Sequence, residues 1–184
     1  MAPSQDAKPK ATVFVYGTLM ESRVVTTLLG HMPSSEKAVL PGFHRYRIKD
    51  RVYPAIRPKE DGSVSGIVFD VTEREERIFD LFEDSDYDKE TVTVTLEDGS
   101  AVTCSAYVWN LSAAEELYGA WDFDAHFAPH VDSYAVMCRD FIDDVLLRGL
   151  APPAEPPAAW ASPQDLEPSA EGYAGGAKRF SPAP

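Results

Sequence analysis

An α+β domain is what this sequence predicts, and three stretches carry the prediction. Thr91-Val92-Thr93-Val94-Thr95-Leu96 and Ala101 to Trp109 alternate strictly on either side of Glu97-Asp98-Gly99-Ser100, the pattern of an antiparallel hairpin with one buried face. From Phe123 onward, Phe127, Val131, Tyr134, Cys138, Phe141, Ile142 and Val145 recur at helical spacing, which predicts a long amphipathic helix lying against the sheet. Near the start, Thr12-Val13-Phe14-Val15-Tyr16-Gly17-Thr18-Leu19 reads as an apolar strand running straight into a helix over Glu21 to Leu29. A length of 184 residues suits one domain, and 44% hydrophobic with 11% aromatic residues supplies a core for it.

The remaining elements follow in order. After the first helix, Pro33-Ser34-Ser35 breaks the pattern, and Ala38-Val39-Leu40 leads through Pro41-Gly42 into Phe43 to Lys49, a bent strand with a turn. Val52-Tyr53-Pro54-Ala55-Ile56 is short, and the missing amide of Pro54 puts it at a sheet edge or an irregular crossing. Asp61-Gly62 marks a turn into a strand over Val64 to Phe69. Thr72-Glu73-Arg74-Glu75 fits a capping box, opening a helix with Ile78, Phe79, Leu81 and Phe82 on its apolar side and its end near Glu83. Pro129 delays or kinks the start of the last helix. Gly149 to Pro184 holds 8 of the 15 prolines with much alanine, a composition that builds no packed element and reads as a disordered tail. With residues 1–10 read as a disordered N-terminus, the folded domain spans residues 11–148.

Charge narrows the partners. A net charge of -13, from 17 basic and 30 acidic residues, repels the phosphate backbone that dominates nucleic-acid affinity and disfavours an anionic membrane surface. No apolar run approaches the ~18 residues of a membrane span, and Met1 to Lys10 lacks the apolar stretch of a secretory signal, so the expected location is the cytoplasm. One basic cluster, His44-Arg45-Tyr46-Arg47-Ile48-Lys49 with Arg51, departs from the global sign; it reads either as the solvated face of a strand or as an attraction for a small anion. Cys104 and Cys138 lack CxxC spacing and read as buried thiols. His126 and His130 stand four apart with Pro129 between them and no supporting ligand motif, so no metal is expected.

Two places carry chemistry. Gly17 lets a ligand approach the main chain, and the amides at the start of the following helix have no partner inside it, so the junction can hold an anion such as a carboxylate; a plain strand-to-helix turn is the other reading. Among the acids of Glu83-Asp84-Ser85-Asp86-Tyr87-Asp88, Glu83 follows Leu81-Phe82 at the edge of the buried helix face, where partial burial raises a carboxyl toward the range that shuttles protons near neutral pH. A local turn contact is the alternative for Glu83. Gly-x-Ser-x-Gly, Walker and dinucleotide-binding patterns are missing from the sequence, which leaves a reaction whose nucleophile comes from the substrate.

With these residues in view, the chain resembles the gamma-glutamyl cyclotransferase-like family, in particular its plant avirulence-induced-gene-like branch. The resemblance spans about Val13 to Leu147 and rests on Val13 to Leu19, Leu40-Pro41-Gly42-Phe43-His44-Arg45-Tyr46-Arg47, Tyr53-Pro54-Ala55-Ile56, Phe82 to Tyr87 and Trp121-Asp122-Phe123, five blocks in the expected order. It implies a small mixed, largely antiparallel β-barrel with flanking helices. It also implies that Tyr16, Gly17, Thr18 and Leu19 bind the α-carboxylate and amino group of a γ-glutamyl moiety, that Glu83 is the catalytic acid/base, and that Tyr87 orients substrate or packs in the core. The implied reaction is cyclisation of a small γ-glutamyl amide to 5-oxoproline, with no cofactor. Two departures stand out: Asp84 occupies a position where many relatives carry glycine, adding a charge expected to raise Glu83 further, and His126 with Pro129 replaces a more regular aromatic helix start. A non-catalytic ligand-binding or stress-response module of the same fold, and an acyltransferase using an external amine, are the competing readings. The sequence leaves the leaving group and the oligomeric state open.

Overall fold

A computed structural model describes residues 11–152, so the proposed N-terminal segment 1–10 and most of the proposed tail lie outside the described residues. The strands are β1 (Ala11–Val15), β2 (Ser34–Ile48), β3 (Pro54–Val71), β4 (Tyr87–Leu96), β5 (Ala101–Trp109) and the short β6 (Leu117–Tyr118). In the order β3-β1-β5-β4-β2, with β2 returning to β3, five strands close into a barrel, and β6 adds to β2. Among the described residues only the β1–β5 pairing is parallel, so the barrel is mixed and largely antiparallel.

Alternation along each strand divides the core in two. Phe14 of β1 and Tyr16 just past its end join Leu40, Ile56, Val64, Val92, Val94, Ala106 and Val108, all on strands, in one cluster, the filling of the barrel. Val13 and Val15 face the other way, into a larger cluster with the helices α1 (Ser22–Leu29), α2 (Glu73–Glu83) and α4 (Val131–Leu147). Gly66 lets β1 and β3 approach, since a Cβ there would lie 2.3 Å from the Val15 carbonyl oxygen and 2.6 Å from the Phe14 ring.

The structure departs from the sequence reading in the middle of the chain. Val52 to Ile56 is not a separate edge piece, because Pro54 opens an 18-residue strand and pairs with Arg47 of β2. Asp61-Gly62 does not end that strand either. β2 and β3 stay paired from Ser34↔Asp70 to Arg47↔Pro54 and absorb the breakers in a bulge between Pro41 and Phe43, with Gly42 at φ 77° and Asp61 at φ 60°. The bulge bends the pair and helps the barrel close. β4 begins at Tyr87, not Thr91, since Tyr87 pairs with Trp109.

Helix ends follow their local chemistry. Thr72 accepts from the Glu75 N–H at 3.3 Å while Glu75 accepts from the Thr72 N–H at 2.8 Å, which completes the capping box. Pro129 breaks the last helical stretch into α3 (Phe123–His126), a 3-10 turn Ala128–His130 and α4, so His126 and His130 share no helix face. The folded body runs slightly past 148: the Leu150 N–H donates to the Val145 carbonyl at 2.9 Å and its side chain packs on the core. Among the described residues, no helix is long and apolar enough to cross a membrane.

Candidate active site

The end of β1 and the end of α2 meet at one open cavity. Tyr16, Gly17, Thr18 and Leu19 line it from one side and Glu83 and Tyr87 from the other, so all six residues singled out in the sequence share it. Tyr53, Pro54, Tyr107 and Tyr134 complete much of the wall.

The turn is built differently from a simple strand-to-helix junction. A 3-10 turn Thr18–Met20 intervenes, closed by Met20 N–H to the Gly17 carbonyl at 2.9 Å and Glu21 N–H to the Thr18 carbonyl at 3.0 Å. Helix α1 is capped by the buried Glu21, whose carboxylate accepts from the Arg23 N–H at 3.2 Å, so the start of α1 is not the anion site that the sequence suggested. The open donors are those of the 3-10 turn itself, whose first amides, on Thr18 and Leu19, have no partner within it. Gly17 is required for a reason other than a left-handed backbone. Its φ is -131°, but a Cβ there would lie 2.7 Å from both Cδ and Cγ of Pro54.

The tyrosine hydroxyls are largely committed. Tyr16 Oη donates to the Tyr107 carbonyl at 2.6 Å, and Tyr87 Oη donates to the Pro54 carbonyl at 2.8 Å. Tyr87 therefore fixes the proline that fills the space beside Gly17, and offers a ligand lone pairs rather than a proton. Tyr134 Oη lies 3.4 Å from Thr18 Oγ1, linking α4 to the turn. An edge-to-face aromatic cluster, Phe82–Tyr134 at 6.3 Å, Phe82–Phe141 at 5.3 Å and Phe127–Tyr134 at 5.0 Å, holds Tyr134 and the end of α2 in register.

Glu83 lines the same cavity. Burial alone pushes its pKa up to about 8. Asp84, expected to add to that, does not: its charge acts on Asp86, which burial raises first and Asp84 second, with Arg51 opposing. Asp84 is exposed and adopts φ 54° and ψ -158°, a backbone conformation that suits glycine.

The sequence profile described as "Gamma-glutamyl cyclotransferase, AIG2-like" matches residues 13–123, a span that reaches from β1 through both cavity walls. The chain belongs to the gamma-glutamyl cyclotransferase, AIG2-like family. AIG2-like protein D of Arabidopsis thaliana is 41% identical over 139 residues, covering 74% of this chain and 91% of that protein. AIG2-like protein C of the same plant is 40% identical over 134 residues, 72% of this chain and 78% of that one. An Arabidopsis thaliana protein solved in solution is 31% identical and superposes with a TM-score of 0.57 over 82% of this chain and 99% of its own. A solved gamma-glutamyl cyclotransferase, 16% identical with a TM-score of 0.50 over 79% of this chain and 90% of its own, shares the fold.

Within this family frame, several residues of the site escaped the sequence reading. Tyr134 looked like one more apolar position of a long helix, and Pro54 like a strand breaker. Arg45 sat in a basic cluster whose simplest reading was a solvated strand face, yet its Nη1 donates to the Tyr16 carbonyl at 2.6 Å behind the cavity.

Proposed function

We propose that the protein is a γ-glutamyl cyclotransferase that closes a small γ-glutamyl amide on itself, forming 5-oxoproline and freeing the amine or amino acid held in amide linkage. The observation that carries this reading is one cavity lined both by the turn Tyr16 to Leu19 and by a desolvated Glu83 carboxyl. In this scheme the turn amides receive the substrate α-carboxylate, and the α-ammonium lies toward Glu83. Glu83 as carboxylate takes one ammonium proton. The amine then attacks the γ-carbonyl carbon, the same carboxyl returns the proton to the departing nitrogen as its bond to that carbon breaks, and the surplus proton left on the ring nitrogen passes through the freed carboxylate to the departing amine, which leaves as an ammonium. A pKa of about 8 suits both halves of that relay near neutral pH. Nucleophile and electrophile share one short tether, so ring closure needs no second molecule and much of the acceleration comes from holding the folded conformer. The scheme calls on no cofactor.

The test is direct. Purified full-length protein is incubated with γ-glutamyl amino acids, γ-glutamyl amines and glutathione, and 5-oxoproline is read by mass. Release from at least one substrate, abolished in Glu83→Gln, is the expected result. An unreactive panel leaves a binding module, and a new amide formed with an added amine points to acyl transfer instead.

A further inference from the structure

Arg45 lies outside the cavity wall, yet it grips the turn that forms it. Its Nη1 donates to the Tyr16 carbonyl at 2.6 Å and reaches Met20 Sδ at 3.9 Å, so one guanidinium spans both ends of the segment Tyr16 to Met20. The guanidinium is itself fixed from behind. It lies over the Trp121 ring at 5.1 Å, the Trp121 N–H donates to the Arg45 carbonyl at 3.2 Å, and Trp121 Nε1 donates to the Val52 carbonyl at 2.8 Å. Burial disfavours its charge, and the nearby Asp122 carboxylate supports it.

Peptide geometry turns this grip into a direction. All described peptide bonds are trans, so the carbonyl of Tyr16 and the N–H of Gly17, which belong to one planar unit, point opposite ways. With the carbonyl held by Arg45, which is not among the residues lining the cavity, the Gly17 N–H points away from that guanidinium, and Gly17 and Thr18 both line the cavity. The same charge-assisted hydrogen bond pulls electron density toward the carbonyl and makes that N–H a stronger donor. We propose that Arg45 is a positioning residue for substrate binding: it orients and polarises the Tyr16–Gly17 peptide so that the Gly17 amide joins those of the 3-10 turn in holding the substrate α-carboxylate. The proposal rests on the γ-glutamyl reading above and adds to it a residue that touches no substrate.

Arg45→Met and Arg45→Lys test it against the wild type. Arg45→Met is expected to raise KM for a γ-glutamyl amide about tenfold while kcat changes less than about twofold, the signature of lost ground-state binding. Arg45→Lys, which keeps the cation but not the fork, is expected to fall between the two. Amide NMR of the ligand-free proteins supplies a readout independent of turnover. The Gly17 amide is expected to move more than any other in the turn in Arg45→Met, while those of Val92 and Val94 inside the barrel stay in place. Titration with 5-oxo-L-proline should shift the Gly17 amide in the wild type and shift it at higher ligand concentration in the variant. An unmoved Gly17 resonance with unchanged KM overturns the proposal, as does an equal loss in every parameter accompanied by shifts throughout the barrel. Should the wild type leave every γ-glutamyl amide intact, the cyclotransferase reading falls, and the Gly17 titration alone still decides the role of Arg45.

Discussion

Glu75 and Glu83 sit on the same helix, eight residues apart, and the fold treats them in opposite ways. Burial pulls Glu75 up, but the Thr72 N–H, His31 and the Thr72 hydroxyl outweigh it and hold its pKa below the ordinary glutamate value. Glu83 meets burial with no compensating donor and is pushed up to about 8. At one end of α2, then, a carboxylate is satisfied and stabilises the helix. At the other, a carboxyl lines a cavity and burial is the cause of its raised pKa. The lesson is that burial alone does not make a carboxyl a candidate acid; burial without protein donors, facing a space that a ligand can enter, does.

The largest expected effect separates the two ends by activity. Glu83→Gln should lower kcat/KM for a γ-glutamyl amide by about 10²- to 10⁴-fold, the span of a lost general acid/base, whereas Glu75→Gln should leave kcat/KM within about twofold. Parallel initial-rate measurements check both. Gly17→Val comes next: its side chain would overlap the Pro54 ring, so product formation is expected to fall at least about tenfold with a rise in KM, read in the same assay.

Stability against pH sharpens the contrast, and the signs differ. The folded protein binds a proton at Glu83 that the unfolded chain releases, so between the ordinary glutamate pKa and about 8 this group makes stability fall as pH rises. Glu83→Gln should therefore be more stable than the wild type by about 2–4 kcal/mol at pH 8.5 and nearly equal to it at pH 5, measured by urea unfolding at both pH values. Glu75 is depressed, so its contribution is present above its unfolded pKa and is lost as pH falls through the folded one. Thr72→Ala should cost about 1 kcal/mol at pH 7, less in acid, with turnover unchanged. His31, raised chiefly by its hydrogen bond to Glu75, adds stability below its unfolded pKa that fades as pH rises through the folded one; because it is largely exposed, His31→Ala should cost only a few tenths of a kcal/mol at pH 6.

Much of the frame was legible because local rules and the global fold agree there. The capping box at Thr72 and Glu75, the β4–β5 hairpin and the end of α2 at Glu83 all follow from patterns a few residues long. The β2–β3 pair was not legible: Pro41, Gly42, Pro54 and Gly62 each signal a break, and long-range pairing overrides them through a bulge. Within the site, Glu83 and Gly17 announced themselves through neighbours in sequence. Arg45, Pro54 and Tyr134 did not, because what makes them matter is contact across 29, 37 and 116 positions, between Arg45 and Tyr16, Pro54 and Gly17, and Tyr134 and Thr18. Even Asp84 misled. Its charge looked relevant to Glu83, but its exposed side chain acts on Asp86, and what its backbone conformation carries is the imprint of a glycine position. Asp84→Gly should accordingly stabilise the fold by about 1 kcal/mol.

The most direct measurement of the central claim is a carbon-13 NMR titration of the side-chain carboxyls, with the Glu83 and Glu75 signals assigned by their loss in Glu83→Gln and Glu75→Gln. The account requires Glu83 to titrate near 8, with Glu75 titrating below the ordinary glutamate value. A Glu83 signal that titrates together with the exposed glutamates of the chain would contradict it.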